Sequence, residues 1–309
     1  MKPCPDPQPP ALRKRAAASL ILLLAALIWG TGFIPQKIIA ERMSPYAFNG
    51  WRYLAASLFI FALARFRFPK RKTEIFGILV NGVLLFGGAT LQQAGIALTT
   101  VGNTGFITTL YVVLVPFLSA LFLKTKLTAN ALLAAALAAI GLYLLTTAGL
   151  GLARITAGDV IVFLGAVLWA VQILTIKLVI HEIDPLVFSA GQFFVCAMMN
   201  LAVWGIADRG NLRPVLENLP IILYAGIFVA GVGYTLQAIG MRNANPAHAA
   251  NILGLESVFA MLFGMILLSE RPLPIQFAGG ALIFIAAWLT SRAEIDDPGR
   301  PHDTERNSL

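Results

Sequence analysis

Polar residues in this chain gather into short clusters, and the stretches between them stay apolar for about the 20 residues that a bilayer-crossing helix needs. Ten such segments can be marked off, over residues 17–39, 45–64, 75–97, 101–123, 128–148, 158–180, 185–206, 219–241, 247–268 and 273–291. Their joins carry helix-end punctuation at Ser44-Pro45, Asp184-Pro185, Asn245-Pro246 and Arg271-Pro272. Backbone groups inside a bilayer must pair internally, so unbroken apolar runs of this length are helices. Barrel strands would be shorter and alternating. The pattern predicts an all-α polytopic membrane protein.

The pattern also repeats. WGTGFIPQK in the first segment returns as WAVQILTIK in the sixth, so that Trp29 and Lys37 fall on Trp169 and Lys177 with a spacing of 140 residues. The same spacing carries Pro45 and Phe48 onto Pro185 and Phe188. TLQQAG, from Thr90 to Gly95, matches TLQAIG, from Thr235 to Gly240, at a spacing of 145, which also pairs Tyr143 with Trp288. A short insertion near Asp208–Asn218 accounts for the change. Each half then holds five helices. Five is odd, so the second half enters the membrane from the opposite side. Ten transmembrane helices as two inverted five-helix repeats are the signature of secondary transporters, with substrate bound near the midplane between the repeats. The expected limits are 17–150 and 157–291, flanked by polar, disordered cytoplasmic tails over 1–16 and 292–309.

Composition agrees and narrows the class. Of 309 residues, 58% are hydrophobic and 12% charged, against about 25% charged in ordinary soluble domains. That excludes a soluble enzyme and a disordered protein. The net charge of +8 does not point to nucleic acid, because the basic residues sit between apolar runs, as at Arg13–Arg15 and Arg65–Lys72. Such clusters face cytoplasmic headgroups and set orientation. They place both termini in the cytoplasm of a cell whose inner (plasma) membrane holds the protein. The second half, with Arg209, Arg213 and Arg271 outside, is weakly biased, and the first half decides. Cys4 and Cys196 lie in a polar tail and an apolar run, which leaves a disulfide between them without support.

The ten spans, the five-plus-five repeat, the Trp-Gly motif with its following Gln36-Lys37, and LESVFAMLFGMILLSERPL around the ninth segment resemble the drug/metabolite transporter superfamily, and within it the EamA family of permeases. The resemblance covers about 17–291 and implies a transporter of small metabolites, by family habit an exporter, with no cofactor. Glu270-Arg271 matches the family's acidic helix-end motif, whereas the first half has Thr125-Lys126 at that place.

Polar side chains at membrane depth are candidates for function, since a charge near a helix centre costs about 2.5–3.5 kcal/mol on insertion scales. Glu256, mid-ninth segment, reads as a partner for a substrate amine, as a protonatable coupling site, or as a packing group. Gln92, Gln93 and Gln237 lie at repeat-related depths and can donate and accept at once, as ligand groups or as interhelical ties. Trp29 and Trp169 stand near helix centres, where an indole can wall a cavity; Gln172 and Tyr111 complete the substrate-binding set. His248 and Pro35 join Glu256 as coupling or gating candidates. Lys37 and Lys177, near helix ends, are expected to reach the headgroups, and Arg52 to do the same or to pair with an acid. Asp159 is expected to stabilise the start of the sixth helix. The small-residue run from Ala131 to Gly141 reads as packing or as the surface of a homodimer.

The leading expectation is secondary-active export of a small polar metabolite, such as an amino acid, by alternating access. A nucleotide-sugar or sugar-phosphate exchanger, an intramembrane enzyme and a non-transporting scaffold stay open. The sequence contains neither a GxxxxGK[ST] loop nor an HExxH pair.

Overall fold

The computed structural model describes residues 10–99, 101–125, 127–147, 156–268 and 271–296. Glu270, Lys126, Arg154 and the tails over 1–9 and 297–309 lie outside them. The described chain is all helix: α1 (Pro10–Gly30), α2 (Phe33–Ala40), α3 (Pro45–Leu63), α4 (Lys72–Leu98), α5 (Val101–Thr109), α6 (Tyr111–Phe122), α7 (Ala129–Thr147), α8 (Ala157–Val179), α9 (Pro185–Ala207), α10 (Arg213–Glu217) and α11 (Leu219–Leu223), then a π-helical stretch (Tyr224–Tyr234), α12 (Thr235–Met241), α13 (Pro246–Leu253), α14 (Glu256–Leu268) and α15 (Pro274–Asp296). Among the described residues, seven helical stretches are long and apolar enough to cross a membrane, and two shorter apolar ones cover Ala129–Leu145 and Pro274–Thr290. α3, 19 residues long, carries Asn49 and Arg52 in its first half.

The punctuation read from the sequence works as caps. Ser44 accepts from the Ala47 amide (3.1 Å), Asp184 from Leu186 (2.9 Å) and Asn245 from His248 (2.9 Å), each followed by a proline whose missing N–H the first turn does not need. Thr156 and Asp159 form a reciprocal capping box at the start of α8. At the N-terminus, helix begins at Pro10 rather than at 17, because Arg13, Lys14 and Arg15 are good helix formers and carry the helix outward beyond the apolar run. At the other end, α15 runs on to Asp296, past the expected limit at 291.

Two pairs of helices related by the 140- and 145-residue spacings, α3 with α9 and α7 with α15, lie side by side and run antiparallel. Ser44, before α3, bonds Asp208, just past α9, while Arg67, past α3, pairs with Asp184 before α9 (3.0 Å). Gln276, at the start of α15, donates to the Leu145 carbonyl near the end of α7 (2.7 Å). The remaining packing is reciprocal: α4 lies on α8, and α1 on α12. Large apolar side chains such as Phe76, Leu121, Ile206 and Ile266 point outward. Exposed apolar surface on all sides suits lipid, not water.

One feature differs from expectation, and another takes the packing alternative. Lys37 and Lys177 do not reach for headgroups. The Lys37 ammonium donates to the carbonyls of Ile96 and Thr99 (2.9 and 3.3 Å), and Lys177 to those of Met241 and Arg242 (3.1 and 3.2 Å). Each thus closes the free carbonyl end of a neighbouring helix, where cations are favoured. The Ala131–Gly141 face of α7 meets α15 of the same chain, with Gly141 and Gly279 at the contact.

That contact yields a test. A Cβ on Gly141 would lie 2.6 Å from the Gly279 carbonyl oxygen and 3.0 Å from the Ile283 nitrogen, both backbone atoms that cannot yield; at Gly205, on α9, it would meet nothing. Gly141→Ala is expected to destabilise by about 1–3 kcal/mol despite the better helix propensity of alanine, whereas Gly205→Ala leaves stability unchanged or slightly raised. The thermal unfolding midpoints of the two detergent-purified variants decide it; a normal midpoint for Gly141→Ala would mean the α7–α15 contact is looser than described.

Candidate functional site

The helical path is interrupted at several points, and the interruptions meet. α1 ends at Gly30 and α2 begins at Phe33, with Gly32 donating only to the Trp29 carbonyl (2.8 Å). Pro35, in the first turn of α2, cannot donate to residue 31 and its ring crowds that carbonyl, so the break falls just ahead of it. The second and third interruptions are related by the 145-residue spacing. Between α5 and α6, Leu110 N donates to Ile107; between α13 and α14, Leu255 N donates to Ile252 (3.2 and 3.1 Å). Both are tight turns, three residues back. Tyr111 and Glu256 are the residues that follow them, and they hydrogen-bond to each other: Tyr111 Oη donates to Glu256 Oε1 (3.1 Å). Thr109 also donates to that oxygen (3.4 Å) and pairs with Ser257 (2.9 Å). Glu256 is 5% exposed and sits at the start of α14, where the helix dipole favours a negative charge.

A narrow cavity of about 40 Å³ opens among these breaks. From the first half it is lined by Trp29, Phe33, Gln36, Arg52, Gln92, Thr108 and Tyr111. The second half supplies Trp169, Gln172, Ile173, Val229, Ala230, Tyr234, Gln237 and Glu256. Its aromatic wall is continuous. Tyr234 lies between the indoles, 4.6 Å from Trp29 and 5.7 Å from Trp169 between ring centres. The indoles are seated in matching ways, Trp169 against Gly88 and Trp29 against Gly233, two glycines 145 residues apart. Any side chain at either glycine would push the ring off the backbone. Tyr234 itself ends the π-helical stretch; such wide turns recur at functional sites.

Six of the lining residues carry a buried polar atom that lacks a protein partner. Trp29 Nε1, Gln36 Oε1, Arg52 Nε, Trp169 Nε1, Gln172 Oε1 and Gln237 Oε1 all belong to lining residues. An unmet buried group costs about 1–3 kcal/mol, so such a cluster calls for a ligand or solvent to meet it. Other polar groups are tied: Gln92 donates to Thr108 (3.1 Å), and Gln172 to Gln192 (3.4 Å).

Trp29, Gln92, Tyr111, Trp169, Gln172, Gln237 and Glu256 come together as the sequence suggested. Three candidates do not line the cavity. Gln93 points the other way and donates to the Gln36 carbonyl (2.9 Å), fastening α4 to α2. His248 is wedged between α1 and α15, with Nε2 2.8 Å from Ser19 Oγ and Nδ1 3.4 Å from Thr290 Oγ1. Pro35 shapes the break without facing the space. Arg52 was expected to snorkel or to pair with an acid. It does neither. Only 3% exposed, it stacks over the Phe48 and Tyr53 rings, 4.7 Å from each centre. Tyr234, Gln36 and Phe33 were not anticipated. The repeat register could have flagged Arg52, whose counterpart 140 residues on is the polar Gln192.

The EamA-like transporter family profile matches residues 16–147 and again 156–292. An uncharacterized transporter of Archaeoglobus fulgidus is 31% identical over 278 residues, which cover 90% of this chain and 87% of that one. The uncharacterized transporter YyaM of Bacillus subtilis is 24% identical over 294 residues, covering 90% and 94%. A crystal structure at 19% identity superposes with a TM-score of 0.76 over 89% of this chain and 98% of its own, a likeness of fold. The chain belongs to the EamA-like transporter family and is a membrane transporter, not an enzyme.

Proposed function

We propose that this protein is a secondary-active exporter of a small polar metabolite, such as an amino acid, working by alternating access between two inverted repeats. Ten segments cross the inner membrane, and both termini lie in the cytoplasm. The observation that carries the reading is the cavity itself. It lies between the halves, takes residues from both, borders broken helices, and has six lining residues with a buried polar atom that meets no partner in the protein. Broken helices at a repeat interface are where secondary transporters bind their cargo. The antiparallel pairing of α3 with α9 and of α7 with α15 supports the inverted arrangement.

At about 40 Å³ the cavity has room for a few waters, far from the roughly 300 Å³ of a small-ligand pocket. Binding therefore requires the aromatic wall to part. Separation of Trp29 from Tyr234, which come from different halves, does so. Glu256 sits at the hinge of that motion, as amine partner or coupling group.

Two experiments test this reading. Glu256→Gln keeps the volume and the hydrogen bond from Tyr111 but removes the charge. It is expected to reach the membrane at wild-type abundance and to lose at least nine tenths of export, followed by comparing metabolites outside cells expressing each form. Undiminished export by the variant would reduce Glu256 to a packing group. For the span count, reporters fused after Leu309 and within 209–211 report sidedness. Green fluorescent protein is expected to fluoresce after Leu309, and alkaline phosphatase to be active only in the 209–211 loop. Active phosphatase at both places would mean an even number of crossings after residue 211, against the three expected, and end the ten-helix reading.

A further inference from the structure

The cavity holds one cation and one carboxylate that are not paired with each other. Arg52 carries five N–H donors on a guanidinium that stays charged. One of them reaches Tyr53 Oη at a long 3.4 Å, Nε has no partner, and no acid lies within ion-pair distance among the described residues. Phe48 and Tyr53 cover the guanidinium, which leaves its donor edge as the part free to bind. Glu256, on the opposite half of the protein, accepts two hydrogen bonds from neutral hydroxyls and meets no cation among the described residues. Both side chains line the same space as Trp29, Trp169 and Tyr234.

Building on the transporter reading above, we infer that Arg52 and Glu256 together select a small amino-carboxylate zwitterion with an apolar side chain. Its carboxylate lies on the edge of the Arg52 guanidinium, where two parallel N–H donors match two oxygens. Its ammonium lies at Glu256, within reach of the indole faces, which also attract cations. Its apolar side chain rests against Trp29, Trp169 and Tyr234. Charge balance picks this class over its neighbours. With Glu256 ionised the site is neutral, and a net-neutral zwitterion keeps the complex neutral while pairing both buried charges. A plain amine leaves Arg52 unpaired, and a plain acid leaves Glu256 unpaired; each strands a buried charge. A phosphate dianion would meet a single guanidinium beside a carboxylate. Arg52 is therefore the specificity-determining residue for the carboxylate end.

The test removes one end of the ligand and one end of the site at a time. Full-length protein in detergent is titrated calorimetrically with L-phenylalanine, with phenethylamine, which lacks the carboxylate, and with 3-phenylpropionate, which lacks the ammonium. Wild type is expected to bind phenylalanine at least tenfold tighter than either analogue. Arg52→Gln should lose at least tenfold for phenylalanine and phenylpropionate and stay within twofold for phenethylamine. Glu256→Gln should show the reverse, sparing only phenylpropionate. If Arg52→Gln weakens all three ligands alike, Arg52 is a structural residue and the assignment falls. Should that variant fail to stay monodisperse, Arg52→Lys takes its place: it keeps the charge without the fork, and must weaken phenylpropionate more than phenethylamine or the assignment falls. The two readings fail differently. Wild type that binds none of the three, yet moves another metabolite across proteoliposomes, overturns the zwitterion and leaves transport standing; wild type that moves no metabolite overturns both.

Discussion

Lipid offers no hydrogen bonds, so a backbone that leaves its helix inside a bilayer must find shelter within the protein. Much of this structure follows from that constraint. The chain leaves regular α-geometry at Thr31–Gly32, at Leu110, through Tyr224–Tyr234 and at Gly254–Leu255. Residues at or beside every one of these places border a single cavity. Gathering the irregular turns around one space hides them from lipid.

The side chains obey the same economy of position. Some amides and hydroxyls away from the cavity tie helices together, as where Thr90 donates to Asn200 (3.0 Å) and Thr175 to Asn81 (2.9 Å). At the cavity, Gln36, Gln172 and Gln237 each keep an unmet oxygen. Neighbours in sequence can differ in direction: Gln92 faces the space, and Gln93 fastens α4 to α2. One step along a helix turns a side chain by about 100°, enough to change its role. Arg52 and Glu256 are the extreme case, two buried charges held by rings and hydroxyls and kept from any opposite charge on the described chain.

What the sequence discloses depends on how local its cause is. Caps and proline punctuation act within a turn, and Ser44, Asp184 and Asn245 could be read directly. The repeat was equally legible, because Trp29 with Trp169 and Gln92 with Gln237 keep their spacing. Which face a residue shows is another matter. Gln93 was plausible by depth, but its rotation turns it away from the cavity. Tyr234 escaped notice since its counterpart is Ala89, and since eleven residues of π-helix reset the angular register that periodicity assumes. Arg52 looked like a headgroup-seeking side chain because its two shielding rings, Phe48 and Tyr53, are ordinary apolar positions in one dimension. The break that makes Glu256 the first residue of α14 lies in GLESV, with no proline to announce it.

The principal helix contacts carry a further consequence. α3 lies on α9, α4 on α8 and α7 on α15, so each pairing joins the first half of the chain to the second. In a chain made from its N-terminus, α3, α4 and α7 precede the helices they pack on, so their packing faces, Gly141 among them, stay unpartnered until α9, α8 and α15 have followed. Assembly of these contacts therefore waits on the second half, because none of the three pairs can form from the first half alone.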